Sequence, residues 1–247
     1  MADERKLRRV AGIAAVTALF ERAPETVTRL ILAEDMKQAA NPFCLELTKA
    51  RKQFRLASQA ELTRIAGTPM HGGIVALAEP RPVRPFDLGE AQRWARTRAP
   101  LLMLDGVSNP HNLGAIARTA AFFGIERIVL SDHPQQAMPS DASARVAEGG
   151  LEIIEVYRAH RFADVLLRLK PYYRIVASAL ERGFPIEDVK LDDRPLAILV
   201  GNEEAGLGKA TLDAAETIVT ITGSGAVQSL NVASATAILI HTLIRQR

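Results

Sequence analysis

The chain has 247 residues, of which 48% are hydrophobic, 24% charged and 5% aromatic, with a net charge of only +3. This ordinary apolar fraction excludes a disordered chain, and no apolar stretch is long enough to span a bilayer: Val232 to Ile244 is broken by Ser234, Thr236, His241 and Thr242. Cys44 is the only cysteine, which excludes a disulfide framework and a cysteine metal cluster; the charged start MADERKLRRV lacks the apolar centre of a secretory signal, so a cytoplasmic protein is expected.

The charge is unevenly placed. Residues 1–79 carry twelve Lys/Arg against nine Asp/Glu, residues 80–98 five against two, and residues 99–247 fourteen against seventeen. A basic front and an acidic back suggest that the front meets a polyanion, although Lys49, Arg51, Lys52 and Arg55 read equally well as the solvated end of one helix.

In the front segment, residues 8–22 (RRVAGIAAVTALFER) carry a helical apolar pattern and TRLILA (28–33) reads as a strand. Residues 34–50 read as a helix and FRLA (54–57) as a short strand. The next predicted helix, SQAELTRIAG, is opened by a Ser58–Glu61 capping box, and GGIVALA (72–78) is the last strand. Alternating helices and strands predict a small layered α/β domain over 1–79. Pro80, Pro82 and Pro85 then make AEPRPVRPFD (78–87) a stiff extended stretch, so residues 80–98 are taken as a linker and connecting segment.

Residues 99–247 alternate more strongly. Strands are predicted at 101–105, 127–130, 152–156, 173–179, 196–200 and 217–221, mostly with helical patterns between them, and an apolar helix closes the chain at about 230–245. Continuous Ile/Leu/Val runs, rather than alternating ones, indicate a parallel sheet covered on both faces. The fold class is therefore α/β, doubly wound, with its ligand expected at the carboxyl ends of the strands.

Three polar loops follow strands there. In the first, Asp105-Gly106 turns the chain and Asn109-Pro110 opens a helix carrying Asn112, Gly114 and Arg118. Near a helix N-terminus Arg118 opposes the macrodipole; it reads either as a solvated arginine or as a ligand for an anion such as RNA phosphate. The second loop, GNEEAGLGK from Gly201, has glycines that let its backbone approach a ligand, with Glu203 and Glu204 as loop charges or site groups. The third leads through Gly- and Ser-rich residues to Ser229 and Asn231, where Ser229 reads as a helix cap and Asn231 as a residue of the first turn.

Several chemistries are excluded by spacing. Lys209 lacks the glycines of a phosphate loop, and no strand is followed by Gly-x-Gly-x-x-Gly. The five histidines show no metal-ligand spacing, and Ser108 and Ser224 lack a nucleophile-elbow setting.

Taken in order, the loops resemble the three motifs of the SpoU (TrmH-like) branch of the SPOUT RNA methyltransferases. Asn-x-Gly-x-x-x-Arg is met by Asn112, Gly114 and Arg118; Gly-x-Glu by Gly201 and Glu203; and Ser-Leu-Asn-Val by Ser229, Leu230, Asn231 and Val232. The front segment MHGGIVALAEP resembles the end of the substrate-binding domain that many members carry. The resemblance implies a SPOUT α/β-knot domain over 99–247 with a carboxyl-terminal trefoil knot, a homodimer, and transfer of a methyl group from S-adenosylmethionine (SAM) to a ribose 2′-hydroxyl of rRNA or tRNA. It further implies catalytic roles for Arg118, Asn112, Glu203, Ser229 and Asn231, cofactor contacts by Gly201, Ile221 and Leu230, and no metal. The chain departs from the family where Thr222-Gly223 follows Ile221 in place of Pro-Met, and where Glu204 replaces a glycine. The alternative is an RNA-binding protein that keeps the knot fold without catalysis.

Overall fold

The structure is a computed structural model describing residues 7–180 and 183–245, so the charged start MADERK lies outside the described residues. Two sheets organise them. The smaller has four strands, β1 (Arg8–Ala11), β2 (Val27–Leu32), β3 (Gln53–Leu56) and β4 (Ile74–Ala78), in the order β1-β4-β2-β3. Helices α1 (Ile13–Arg22) and α2 (Lys37–Lys49) cover one face, where Leu30, Leu32, Ile74 and Ala76 are buried, and α3 (Gln59–Ala66) covers the other over Ile31, Val75 and Leu77.

Two details depart from the sequence pattern. The helix predicted over 8–22 is split, because Gly12 turns the chain at φ 92° and Arg8–Ala11 pair antiparallel with the fully buried β4, which needs a neighbour on that side. Ser58 caps α3 by accepting the Glu61 amide, but the Glu61 carboxylate reaches Arg55 at 2.7 Å instead of closing a capping box.

The larger sheet has eight strands, all parallel. In chain order they are β5 (Arg84–Pro85), β6 (Leu101–Asp105), β7 (Arg127–Leu130), β8 (Glu155–Arg158), β9 (Arg174–Ser178), β10 (Phe184–Pro185), β11 (Leu196–Gly201) and β12 (Thr217–Thr220). Their order is β10-β12-β9-β11-β6-β7-β8-β5. Alternate residues of one strand serve opposite cores: Leu102 and Leu104 pack beneath α5 (Pro110–Phe122) and α10 (Val232–Arg245), while Leu101 and Met103 pack toward α4 (Leu88–Arg96), α8 (Phe162–Leu169) and α9 (Lys209–Ala214). This two-sided burial explains the unbroken apolar runs. The run predicted as a strand over 152–156 divides into α7 (Gly150–Ile153) and β8, because Glu152 is buried against Arg8 and cannot lie in a sheet face.

The two sheets meet through α6 (Asp141–Ala147) and α7. Arg8 pairs with Glu152, Arg9 with Asp141 at 3.2 Å, and Arg81 donates to the carbonyls of Leu151 and Glu152. A Cβ on Gly149 would lie 2.9 Å from the Ala15 Cα, so α1 rests directly on this backbone. At the far end, α10 packs on α5, on β11 and on the 186–188 turn.

Candidate active site

Strands β6 and β11 are direct neighbours, with Asp105 in register with Gly201, so their carboxyl-terminal loops emerge side by side. Loop one opens α5 through two local devices: the Asn109 side chain accepts the His111 amide at 2.8 Å, and Pro110 occupies the first helical position, where no donor is needed. The buried Gln136 amide pins the turn before it. Its oxygen accepts the Gly106 amide at 2.9 Å and its nitrogen donates to the carbonyls of Val107 and Ala137.

Loop two folds back on itself. Asn202 and Gly206 exchange backbone hydrogen bonds at 3.0 Å, and the Asn202 side chain accepts the amides of Glu204 and Ala205 while donating to the Gly106 carbonyl at 2.7 Å. Gly201 is required here, since a Cβ would stand 2.5 Å from the Gly206 carbonyl carbon. Glu204 keeps a negative φ, so the loop closes without a glycine at that position.

The loops are joined by side chains from all three. Glu203 accepts from Asn112 Nδ2 at 2.8 Å, from the Ser108 amide and hydroxyl at 3.2 Å each, and from the Asn109 amide at 3.4 Å. Asn112 Oδ1 in turn accepts from Asn231 Nδ2 at 3.1 Å, and Asn231 Oδ1 accepts the Ala233 amide at 2.8 Å. A carboxylate only accepts, so Glu203 fixes the Asn112 amide orientation, and each amide in the chain uses both of its ends. Partial burial works against ionisation of Glu203, but the Asn112 amide and the surrounding backbone amides outweigh it and hold the carboxyl below the usual glutamate range.

Asn231 is therefore the N-cap of α10 rather than a first-turn residue, and Ser229 lies outside the helix. The stretch from Thr222 to Asn231 is exposed throughout, with Leu230 47% exposed, while Ile221 packs partly against the core. Neither Ser229 nor Leu230 is drawn into the Glu203–Asn112–Asn231 chain.

Arg118 stands apart. It is well past the opening turns of α5, and its guanidinium meets Glu148 at 2.9 Å, both side chains being 57% exposed. An arginine that has no obvious local partner in the sequence thus acquires one from a residue thirty positions away. Glu148 holds a left-handed backbone (φ 43°), and Gly150 just beyond it lets the chain touch the Arg118 backbone, where a Cβ would be 2.9 Å from the Arg118 Cα. Gly114 has the same function one turn earlier: a Cβ there would sit 2.4 Å from the Ser143 carbonyl oxygen, so α6 lies tight against α5.

Sequence reasoning missed Asn202, Ser108, Gln136 and Glu148. Asn202 had a local signal, because an Asx side chain two residues before a turn closes it, but nothing local marks the other three. His71 is a satisfied core residue, accepting the Gly73 amide at Nδ1 and facing Thr63 at 3.1 Å. Among the described residues, no group of three or more His, Cys, Asp or Glu side chains is placed to hold a metal.

The family model described as the SpoU rRNA Methylase family matches residues 99–241, the span that holds all three loops. The chain belongs to this family. A second model, described as RNA 2′-O ribose methyltransferase substrate binding, matches residues 9–83. The chain is 31% identical over 242 residues to an uncharacterized tRNA/rRNA methyltransferase, YfiF, of Escherichia coli O157:H7, covering 96% of this chain and 68% of the relative. It is 32% identical over 248 residues to the 23S rRNA (guanosine-2′-O-)-methyltransferase RlmB of Acinetobacter baylyi, covering 96% of each. The crystal structure of an AdoMet-bound rRNA methyltransferase from Sinorhizobium meliloti shares the fold, with a TM-score of 0.78, 21% identity and coverage of 99% of this chain and 89% of that one.

Proposed function

We propose that the protein is an active methyltransferase that moves a methyl group from SAM to a ribose 2′-hydroxyl of ribosomal RNA, the Acinetobacter relative being named for a guanosine of 23S rRNA. The observation that carries this reading is the hydrogen-bonded chain Glu203–Asn112–Asn231, in which one motif residue from each loop locks the three loops together. A module that only held RNA has no need for this junction beside an open loop.

The residues fit the cofactor. The 222–230 stretch offers exposed backbone donors and acceptors outside any helix or strand, Leu230 and Ile221 add apolar surface, and Gly201 leaves the end of β11 without a side chain. In this reading Gly201, Ile221 and Leu230 hold SAM, largely by backbone groups, and Ser229 fixes the loop around it. SAM supplies an already activated methyl group. What remains for the protein is to align the hydroxyl and to receive its proton.

Arginine side chains keep their proton in essentially every protein setting, so the role given to Arg118 is a clamp on the RNA phosphate and the developing alkoxide, while the phosphate takes the proton. To do so it exchanges Glu148 for RNA, an inexpensive step because an exposed ion pair contributes at most about 1 kcal/mol. Glu203, Asn112 and Asn231 hold the loop geometry, and none of them leaves it during the reaction.

The reading also includes division into a substrate-binding domain over 1–79, a connecting segment over 80–98 and a catalytic domain over 99–247, with a threaded carboxyl terminus. It includes a cytoplasmic homodimer, supported by Phe122, which is 83% exposed, with Ile238 and Leu230 on the α5 and α10 side. The test combines calorimetric titration with SAM and incubation with methyl-labelled SAM and unmodified 23S rRNA, followed by alkaline digestion. Alkali-stable labelled dinucleotides are expected, because 2′-O-methylation removes the nucleophile of RNA hydrolysis. SAM binding without any transfer to rRNA or tRNA would overturn the catalytic reading in favour of an RNA-binding protein.

A further inference from the structure

The two edges of the small sheet differ. The β1 edge is covered by α6 and α7 of the larger unit, through Arg8 with Glu152 and Arg9 with Asp141. The β3 edge lies at the opposite side, and all four of its residues, Gln53 to Leu56, are exposed. From Lys49 to Ala57 the chain holds Lys49, Arg51, Lys52 and Arg55 with no Asp or Glu, and Arg29 of β2 stands beside Gln53 in register. Arg29, Lys52, Gln53, Phe54 and Arg55 line a cleft of about 400 Å³.

Cations on an edge strand have a common structural purpose, since they discourage edge-to-edge pairing with another chain. That purpose does not account for Phe54, which sits 45% exposed in the middle of the strand, beside the half-exposed Leu56. An aromatic face on an open edge promotes the adhesion that the cations oppose. The combination is what a flexible polyanion with stacking bases recognises: phosphates seek the cations, and an unpaired base stacks on the ring. The cations are also positioned rather than loose. The Lys52 ammonium is held on the Glu25 carbonyl, and Arg55 on the Glu61 carboxylate and the Leu56 carbonyl, so their charges are fixed along the strand.

We propose that the β3 edge binds a single-stranded stretch of the substrate RNA, with one base stacked on Phe54 and the adjoining phosphates on Lys52, Arg55 and Arg29. The proposal rests on the reading of the chain as an RNA methyltransferase. It adds that recognition reaches beyond the methylated nucleotide, to an unpaired element at the sheet edge opposite the one that meets α6 and α7.

The test uses the full chain and fluorescence anisotropy with three probes: a 20-nucleotide oligouridine, a duplex of the same length, and deproteinised 23S rRNA. Phe54→Ala is expected to weaken oligouridine binding about tenfold, the size of one lost stack, with the duplex unchanged. Phe54→Trp restores stacking and is expected to bind like the parent, which separates loss of the ring from loss of folding. Arg55→Gln is expected to lower the slope of log affinity against log salt by about 0.7, one phosphate contact on a single strand. The proposal falls if the parent binds oligouridine and Phe54→Ala binds it equally well, or if the parent binds 23S rRNA but not oligouridine. It also falls if Phe54→Ala changes the sedimentation of the protein but not its RNA affinity, which would make the edge a self-association surface. Failure of the parent to bind any of the three probes would instead overturn the RNA reading itself.

Discussion

Within one site, two regions are built on opposite terms. The junction of loops one and two is dense with hydrogen bonds: Glu203 is met by Ser108, Asn109 and Asn112, Asn202 ties its own loop to Gly106, and buried Gln136 holds the turn from beneath. The third loop is tied at its end by Asn231, but from Thr222 onward it is exposed along its whole length. The first region is preorganised by this chain alone, while the second has its surface available for what the reaction brings. Arg118 belongs to the second kind, because its partner Glu148 is exposed and replaceable. In the proposed function, the side chains that hold the site and the one that meets the substrate are thus different sets.

The largest test of that division is Arg118→Ala. Turnover in a single-turnover methyl-transfer assay is expected to fall at least about a hundredfold, as for removal of one charge-stabilising donor, with SAM affinity and melting temperature unchanged. Full activity in this variant would remove Arg118 from the reacting groups. Next is the contrast of two glycines. Gly201→Ala forces a methyl group against the Gly206 backbone and is expected to cost about 1–3 kcal/mol, seen as a melting temperature several degrees lower. Gly223→Ala meets nothing within 4 Å and keeps an ordinary φ, so its melting curve is expected to match the parent. Equal effects at the two positions would erase the comparison.

Asn112→Ala cuts both links of the junction at once and is expected to destabilise by about 1–2 kcal/mol at neutral pH. The effect is linked to pH through Glu203. A carboxyl held below its ordinary range in the folded protein contributes stability that is complete above that range and is lost as pH falls through the folded value. Without the Asn112 amide the folded value rises toward the ordinary one, so the variant is expected to lose less stability than the parent on acidification, the loss opening in the same ordinary glutamate range but ending at higher pH; thermal melts between about pH 3 and 7 would show it. The smallest effect is expected from Glu148→Gln. Freed of its partner, Arg118 is expected to strengthen RNA affinity by no more than about threefold, with SAM affinity unchanged, because the exposed pair is weak. A large loss of activity would mean that Glu148 holds Arg118 in its working position instead.

Much of this protein is written in local pattern. The central strands β6, β7, β9 and β11 of the large sheet are legible because each is a short apolar run buried on both faces, while the two-residue edge strands β5 and β10 carry no such run and escape prediction. The three polar loops are legible by their place after predicted strands, and Asn112, Glu203 and Asn231 within them by the family resemblance. Locality also explains the failures. Residues 8–11 carry a helical pattern that yields to pairing with β4, and the start of the strand-like run over 152–156 yields to burial of Glu152 against Arg8 in α7.

By itself, the sequence determined the α/β alternation, most of the central strands and helices, and the residue types available to the site, since these depend on side-chain periodicity and backbone freedom over a few residues. Only the tertiary structure decided that Asn112 donates to Glu203 across ninety-one positions and accepts from Asn231 across one hundred and nineteen, and that Arg118 rests on Glu148. It also decided that Phe54 stands at an open edge rather than in a core. Hydrogen bonds and ion pairs reach only a few ångströms, so which groups satisfy one another is set by where the packed sheet brings its strand ends, and no local pattern carries that distance.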